Sequence, residues 1–373
     1  MRIGVLGGGQ LAGMMAQAAR NLGIELIVQT PSTDDPAVSL ATDTVLAEID
    51  DAAATAKLAT LCDLITFENE FIDLAALQPL AQQGIKFRPR LASLSSLLDK
   101  YQQRCYLQQI ALPVPRFALM EQPVSEFGFP VVLKVRRHGY DGQGTYILPE
   151  QQALAAAWQA LQGTPVMLEE YVPFEQELAV IAARSETGEV AVYPVVETQQ
   201  EAQVCRRVIV PAEVSAPVKV QVDKIATRLL NQLQVVGVFG IELFLTRAGT
   251  VLVNEIAPRT HNSGHYTLDA CNVSQFEMQL RAVAGLPLGS TALKSAGAVM
   301  VNLLGYEHSE DDYHHKRSQL ASLPQATVHW YGKTESRPGR KLGHVTVLLE
   351  QAERQTALAT AKHIELIWYG SSS

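Results

Sequence analysis

The chain has 373 residues, and this length predicts roughly two or three domains. Hydrophobic residues make up 47% of the chain and charged residues 18%, which is typical of a packed globular protein and excludes a disordered one. The formal net charge of −8 argues against binding to nucleic acid through a broad basic surface, although it leaves room for a local basic pocket.

The four cysteines, Cys62, Cys105, Cys205 and Cys271, form neither a C-x-x-C motif nor a Cys/His zinc pattern. Their wide spacing fits a reducing cytoplasm, where we expect the protein to reside. Residues 1–18 partly resemble a secretory signal, but three consecutive glycines interrupt the apolar run. No uninterrupted apolar stretch reaches the roughly 18 residues that a membrane-spanning helix needs, so we expect a soluble protein.

The predicted elements divide the chain into three parts. Strands at 2–6, 24–29, 64–67 and 85–87 alternate with helical segments such as 10–22, which predicts a doubly wound parallel sheet in residues 1–100. An α+β domain is predicted for 101–290, with strands at 131–135, 166–170, 178–182, 238–245 and 251–256. A linker at 286–290 leads to a small β-rich domain, 291–373, with strands at 298–303, 326–330 and 344–349 and a helix at 351–363. The charged run 307–317 is predicted to be a solvated loop.

A first glycine-rich loop, residues 7–12, follows a strand and matches the dinucleotide pattern G-x-G-x-x-A. A dinucleotide site also needs an acidic residue at the end of the second strand, but that strand ends in Gln29 and Thr30. A nicotinamide site is therefore disfavoured, and the loop is free to hold a substrate phosphate or another polar group. Glu68 follows the strand at 64–67 and either faces the same crevice or caps a helix.

A second glycine-rich segment, 139–145, follows a strand that ends in Lys134. Its backbone N–H groups could fold over phosphates while the lysine provides a positive charge, although a plain hairpin has the same pattern. The strand at 166–170 ends in acids, and its terminal backbone groups could recognise an adenine edge. Glu177, shortly after it, is a candidate for ribose hydroxyls.

Two predicted strands carry acids among apolar residues, which is costly unless the acids bind a cation. Glu242, Asn254 and Glu255 provide the oxygen ligands that Mg²⁺ prefers. A regular hairpin with a short loop would pair Glu242 with Asn254 and turn Glu255 to the opposite face. Both acids share a face only if the register slips by one residue, so we predict a bulge or wide loop between Thr246 and Thr250.

Two later segments carry positive side chains. In 257–265, Arg259 and His261 are candidate donors to an oxyanion, whereas His261 and His265 lack the helix and glutamate of a zinc motif. The alternative is a salt-bridged loop. In 337–344, Arg337, Arg340 and Lys341 form a cationic turn that either recognises phosphate or lies on the surface.

Together, the sequences at 9–11, 134–144, 254–265 and 337–344 resemble the carboxyaminoimidazole ribonucleotide synthetase family of the ATP-grasp superfamily. The resemblance covers nearly the whole chain. The pattern Gly-Tyr-Asp-Gly-x-Gly is typical of ATP-grasp proteins in general, whereas Asn-Glu-Ile-Ala-Pro-Arg-x-His-Asn-Ser-Gly-His is specific to this family and its closest relatives. The resemblance implies a pre-ATP-grasp domain, an ATP-grasp domain and a small C-terminal domain.

The resemblance also implies a cytoplasmic, homodimeric ligase that uses MgATP and bicarbonate to carboxylate aminoimidazole ribonucleotide through carboxyphosphate. The implied ATP-binding residues are Lys100, Lys134, Gly139, Tyr140, Asp141, Gly142, Gln143, Gly144, Thr145, Glu169, Glu170, Tyr171, Val172, Glu177, Asn254 and Glu255, with Mg²⁺ held by Glu242 and Glu255. The implied catalytic residues around carboxyphosphate are Arg259, His261, Asn262 and Lys341. The implied ribonucleotide contacts are Gln10, Asp141, Arg259, Arg337, Arg340 and Lys341. Some relatives have arginine in place of Lys100.

Three alternatives stay open from the sequence. The first is another ATP-grasp ligase that acts on a neighbouring purine intermediate. The second is a nucleotide-binding regulatory protein without catalysis, against which the pair Glu242 and Glu255 argues. The third is the nicotinamide oxidoreductase, already weakened at Gln29 and Thr30.

Overall fold

A computed structural model describes residues 1–137 and 144–370. Its strands form three sheets, and the first is the predicted parallel sheet, with strands in the order β3-β2-β1-β4. Its elements are β1 (Arg2–Leu6), α1 (Gln10–Leu22), β2 (Glu25–Thr30), β3 (Asp43–Leu46), α2 (Ala52–Ala59), β4 (Leu64–Phe67), α3 (Leu74–Gln82) and α4 (Leu91–Ser95). The predicted strand at 85–87 is wrong, since Phe87 makes only an isolated bridge to Ile65. The chain enters α4 after Arg90, before a second bridge forms.

The second sheet is small and antiparallel, with its strands in the order β5-β8-β6-β7. It comprises β5 (Phe117–Leu119), β6 (Val131–Val135), β7 (Thr145–Leu148) and β8 (Val166–Glu170). Helix α5 (Lys100–Gln109) precedes this sheet in the chain, and α6 (Gln151–Ala160) follows β7. Leu154 of α6 packs into the apolar core beneath β6 and β8.

The third sheet has nine strands, in the order β14-β13-β9-β11-β12-β15-β17-β16, with β10 paired to β9. Its strands are β9 (Phe174–Arg184), β10 (Val190–Val192), β11 (Val196–Glu201), β12 (Val204–Val210), β13 (Gly237–Thr246), β14 (Val251–Ala257), β15 (Gly297–Leu304), β16 (Ala326–Trp330) and β17 (Lys341–Leu349). Because β12 pairs with β15, the C-terminal strands extend the central sheet rather than forming a separate one.

Helices cover this large sheet. They are α7 (Ala216–Leu233), α8 (Thr267–Ala270), α9 (Gln275–Ala284), α10 (His314–Ala321) and α11 (Arg354–Tyr369), and a short 3₁₀ turn spans Asn262–Gly264. Helix α9 joins the first domain to the large sheet, since Phe276 and Leu280 pack into the same core as Met15 of α1. Helix α11 begins three residues later and ends six residues later than predicted, because Ile364 and Trp368 continue its buried face.

The predicted solvated loop at 307–317 is wrong in its second half. Helix α10 begins at His314, directly after Tyr313, which is 5% exposed. The Tyr313 ring packs against Trp368 with ring centroids 5.1 Å apart, and Lys316 donates to the Trp368 carbonyl over 2.6 Å. The buried Tyr313 ring and the Lys316 hydrogen bond, rather than a periodic apolar face, therefore fix this segment.

Candidate active site

The predicted nucleotide-binding residues meet at a cavity of about 760 Å³ between the small sheet, α5 and the β13–β14 hairpin. The predicted residues that line it are Lys100, Lys134, Thr145, Glu169, Glu170, Tyr171, Val172, Glu177, Glu242, Asn254, Glu255, Arg259, His261, Asn262 and Lys341. These residues lie on α5, on the small sheet, on the large sheet and in segments next to them, and none of them lies on the parallel sheet. The C-terminal Lys341 therefore reaches the same cavity as the residues of the central domain.

Glu242 and Glu255 face each other because the hairpin contains a one-residue bulge. Leu243 pairs with Val253, but the next residue, Glu242, pairs with Glu255, so Asn254 is the extra residue. The predicted convergence of the two acids is thus present, but the predicted location of the bulge, between Thr246 and Thr250, is wrong. That turn is tight, with the Thr246 N–H donating to the Thr250 carbonyl over 3.0 Å.

The electrostatics of this acid pair favour a bound cation. The Lys100 Nζ lies 2.7 Å from the Glu255 Oε1, whereas the nearest positive candidate to Glu242 is the His261 Nε2, 3.5 Å away. Glu242, whose side chain is 28% exposed, lines the cavity. Burial, followed by the charges of Glu255 and Glu177, raises the pKa of Glu242 to about 7. With the Asn254 amide 3.4 Å from Glu242, the cluster has the hard oxygen donors that suit Mg²⁺.

Lys134 belongs to a buried charge cluster behind the cavity. Its Nζ lies 2.7 Å from the Glu169 carboxylate and donates to the Asn254 Oδ1 over 3.1 Å, and Arg104 also contacts Glu169. Although burial alone would raise it, the two cations bring the pKa of Glu169 down to about 2. The Glu169 side chain is therefore occupied, which leaves the backbone at the end of β8 as the part available to a ligand.

Arg104, and Gln103 beside it, are site residues that the sequence reasoning missed. Both are at most 3% exposed, and Gln103 lines the cavity. Gln103 and Arg104 stand three and four residues after Lys100 on α5, and this spacing places side chains on one helix face. Given Lys100 as a site residue, this spacing is the sequence signal that indicates Gln103 and Arg104.

The part of the cavity next to Glu242 has an apolar wall and a second perturbed acid. The rings of Phe174 and Phe244 stack with centroids 4.8 Å apart, and the exposed Tyr171 lines the same cavity. Burial raises the pKa of Glu177 to about 7. A flat aromatic wall beside a carboxylate is suited to a nucleoside, whose base stacks and whose ribose donates hydrogen bonds.

The segment 257–265 is held rigidly at the cavity wall. Arg259 Nε lies 2.9 Å from Glu70, and the Gln275 amide bonds both the N–H and the carbonyl of His261. Asn262 forms a reciprocal amide pair with Asn302 of β15, with bonds of 2.9 and 2.7 Å. These contacts fix the candidate oxyanion donors in place before any ligand binds.

No zinc site involves His261 and His265 within the described ranges. His265 is fully buried, and its Nδ1 contacts Gln275 over 3.1 Å. The group of potential ligands found in those ranges is Asp269, His329 and His344. The rings of its two histidines stack with centroids 4.5 Å apart and planes inclined by 16°, so their in-plane lone pairs do not converge on one ion.

Several predicted ligand contacts are not brought to the cavity. Gln10, Gly144, Arg337 and Arg340 are described but do not line it, and Gly139, Tyr140, Asp141, Gly142 and Gln143 lie outside the described residues. The turn that carries Arg337 and Arg340 is held against Gly305, whose N–H donates to the Arg340 carbonyl over 2.8 Å. Arg337 is exposed there.

The Glu68 side chain fills the first glycine loop. Of the two roles predicted for Glu68, the structure shows that of capping a helix. The buried Glu68 carboxylate accepts from the N–H groups of Gly9, Leu11 and Ala12 at the start of α1, over 2.7 to 3.1 Å. A Cβ added at Gly7 or Gly9 would lie within 2.6 Å of Glu68 oxygens, which explains both glycines. The nitrogen groups that could have held a phosphate are therefore already paired.

Comparison with known proteins identifies the family. Profiles match the ribonucleotide synthetase pre-ATP-grasp domain at 1–96, the ATP-grasp domain at 105–276 and the phosphoribosylaminoimidazole carboxylase C-terminal domain at 298–370. The N5-carboxyaminoimidazole ribonucleotide synthase of Synechococcus elongatus is 56% identical, over 98% of this chain and 95% of its own. The chain belongs to the N5-carboxyaminoimidazole ribonucleotide synthase family of ATP-grasp ligases. The nicotinamide oxidoreductase alternative is therefore wrong.

Two solved structures of family members share this fold. The carboxyaminoimidazole ribonucleotide synthase of Aspergillus clavatus complexed with ATP has a TM-score of 0.92 and 31% identity, over 99% of this chain and 98% of its own. The Aspergillus clavatus enzyme in complex with ADP and 5-aminoimidazole ribonucleotide has a TM-score of 0.90 and 31% identity, over 97% of this chain and 98% of its own. In the described parts of this chain, no helix is long and apolar enough to cross a membrane.

Proposed function

We propose that this protein is an ATP- and bicarbonate-dependent ligase that converts 5-aminoimidazole ribonucleotide to N5-carboxyaminoimidazole ribonucleotide in purine biosynthesis. The observation that carries the proposal is the bulged β13–β14 hairpin, which turns Glu242 and Glu255 toward one another at a cavity that Lys100 and Lys134 also line. The complexes of the Aspergillus clavatus enzyme with ATP, and with ADP and 5-aminoimidazole ribonucleotide, support the same substrates here.

In the proposed binding mode, Glu242 and Glu255 hold Mg²⁺ and Asn254 lies beside it. The ion would neutralise charge that develops on the transferred phosphoryl group. Lys134 contributes a positive charge beneath the phosphates, and Glu177 accepts from the ribose hydroxyls. The aromatic wall of Phe174 and Phe244 provides the apolar side of the nucleoside site.

The proposed reaction has two steps. A bicarbonate oxygen attacks the γ-phosphorus, the bond to the β-phosphate oxygen breaks, and ADP leaves with carboxyphosphate formed. The exocyclic amine of the ribonucleotide then attacks the carboxyl carbon, the bond between that carbon and the bridging oxygen breaks, and the departing phosphate takes up the amine proton. Arg259 and Lys341, which line the cavity together with His261, would stabilise the negative oxygens of carboxyphosphate and of the tetrahedral adduct that forms when the amine attacks it.

Bicarbonate-dependent ADP release tests this proposal. Purified protein with MgATP should release ADP faster when both bicarbonate and 5-aminoimidazole ribonucleotide are present, and the product should carry one carboxyl group on the amine nitrogen. The competing function, a ligase for a neighbouring purine intermediate, predicts that ADP release ignores both additions. The cytoplasmic location, the homodimer and the roles of Gln10, Asp141, Arg337 and Arg340 stay predictions.

A further inference from the structure

Within the described residues, no other strand pairs with the outer edge of β14, which is bonded instead by side chains and by the Pro113 carbonyl, an acceptor for the Val253 N–H over 2.8 Å. β14 is the terminal strand of the large sheet. The buried Gln103 amide accepts from the Ile256 N–H over 3.0 Å and donates to the Ile256 carbonyl over 3.2 Å. Its amide nitrogen also donates to the Leu97 carbonyl over 3.0 Å. One glutamine thus pairs with β14 in the way a neighbouring strand would.

The extra residue of the bulge is bonded by the next residue on the same helix. A bulge leaves one residue outside the regular ladder, and an unpaired buried carbonyl would be costly. The carbonyl of Asn254 accepts from the Arg104 guanidinium, whose Nε contacts Glu169 on β8. Arg104 is 2% exposed, so this bond is shielded from solvent.

These bonds favour the bulged register over the regular one. In a regular hairpin the Val253–Leu243 pair would be followed by Asn254 opposite Glu242, and Glu255 would point to the other face. Gln103 bonds both backbone groups of Ile256, the residue directly after Glu255. A slip by one residue would break both of those bonds and the bond from Arg104.

We infer that Gln103 and Arg104 are positioning residues that hold the β14 bulge and thereby set the affinity of Glu242 and Glu255 for a divalent cation. The inference rests on the proposed magnesium role of those two acids. Neither Gln103 nor Arg104 has to touch the cation. They act through the backbone on which Glu255 stands, as outer residues around a metal site commonly do.

The test uses the near-isosteric variant Gln103→Met and the matched control Gln108→Met, an exposed glutamine on the same helix. Calorimetry gives the dissociation constant of ADP in excess Mg²⁺ and in EDTA, and their ratio measures how much the cation strengthens binding. For Gln103→Met we expect this ratio to fall about 10- to 100-fold, the usual effect of losing a residue that orients a metal ligand. The affinity for ADP in EDTA should stay within about twofold of wild type, because Gln103 has no bond to Lys134 or the end of β8. Gln108→Met should leave both values unchanged.

A second variant, Arg104→Lys, keeps the positive charge beside Glu169 but loses the fork that reaches the Asn254 carbonyl. It should lower the same ratio even if Gln103→Met does not fold. An unchanged ratio in both variants, or an equal loss of ADP affinity with and without Mg²⁺, overturns the inference and leaves the proposed function standing. A wild-type protein in which Mg²⁺ does not strengthen ADP binding overturns the magnesium role, and the inference with it.

Discussion

Replacing Glu169 with glutamine removes the shared negative charge of a buried cluster. The side chains of Glu169 and Arg104 are each 3% exposed and that of Lys134 is 8% exposed, so neither cation can gain compensating hydration. Removing one partner of a buried ion pair typically costs about 3–5 kcal/mol. At about 2 °C per kcal/mol for a large chain, Glu169→Gln should lower the melting temperature by roughly 6 °C or more.

The neighbouring residue provides the control. Glu170 pairs with Arg116 over 2.7 Å, but the Arg116 side chain is 66% exposed, so this pair is worth only about 0–1 kcal/mol. Glu170→Gln should therefore shift the melting temperature by less than about 2 °C. Differential scanning calorimetry of both variants at pH 7 measures the difference. Equal shifts for Glu169→Gln and Glu170→Gln would refute the conclusion that Glu169 is the buried counter-charge of Lys134.

Three further predictions concern the site. Glu255→Gln should abolish ATP turnover while leaving the melting temperature within a few degrees of wild type; turnover near the wild-type rate would discard the metal role. Because Glu242 has a pKa raised to about 7 and must be ionised to bind a cation, the half-saturating Mg²⁺ concentration should rise about tenfold from pH 8 to pH 6. A flat titration over that range contradicts this reasoning. Arg337→Ala should raise the KM for the ribonucleotide without changing that for ATP, and an unchanged KM for the ribonucleotide would show that the exposed Arg337 has no part in binding.

The sequence predicts the fold well where a signal is local. The alternation of short apolar strands and helices in the first domain is recovered in β1, β2 and β4, and the glycine loop is found at the start of α1. The predicted strand at 85–87 does not form, because its pairing ends at Phe87, shortly before the chain enters α4. Apolar composition alone does not show that this helix ends the pairing.

The candidate site was predictable only as a set of residue types. The acids on β13 and β14 were identified from their cost among apolar neighbours, but the position of the bulge depends on Gln103, 153 residues before Ile256. Likewise, the capping role of Glu68 depends on its contact with Gly9, 59 residues away. Contacts over such distances follow from the packed structure and leave no local pattern in the chain.

The most direct test of the central claim is the fate of the bicarbonate oxygens. If bicarbonate is phosphorylated and the amine then displaces phosphate, the oxygen that attacked phosphorus stays on phosphorus. Turnover of MgATP and 5-aminoimidazole ribonucleotide with ¹⁸O-labelled bicarbonate should therefore release phosphate that carries one labelled oxygen, detected by mass spectrometry. Unlabelled phosphate released in step with the carboxylated product would contradict the carboxyphosphate mechanism.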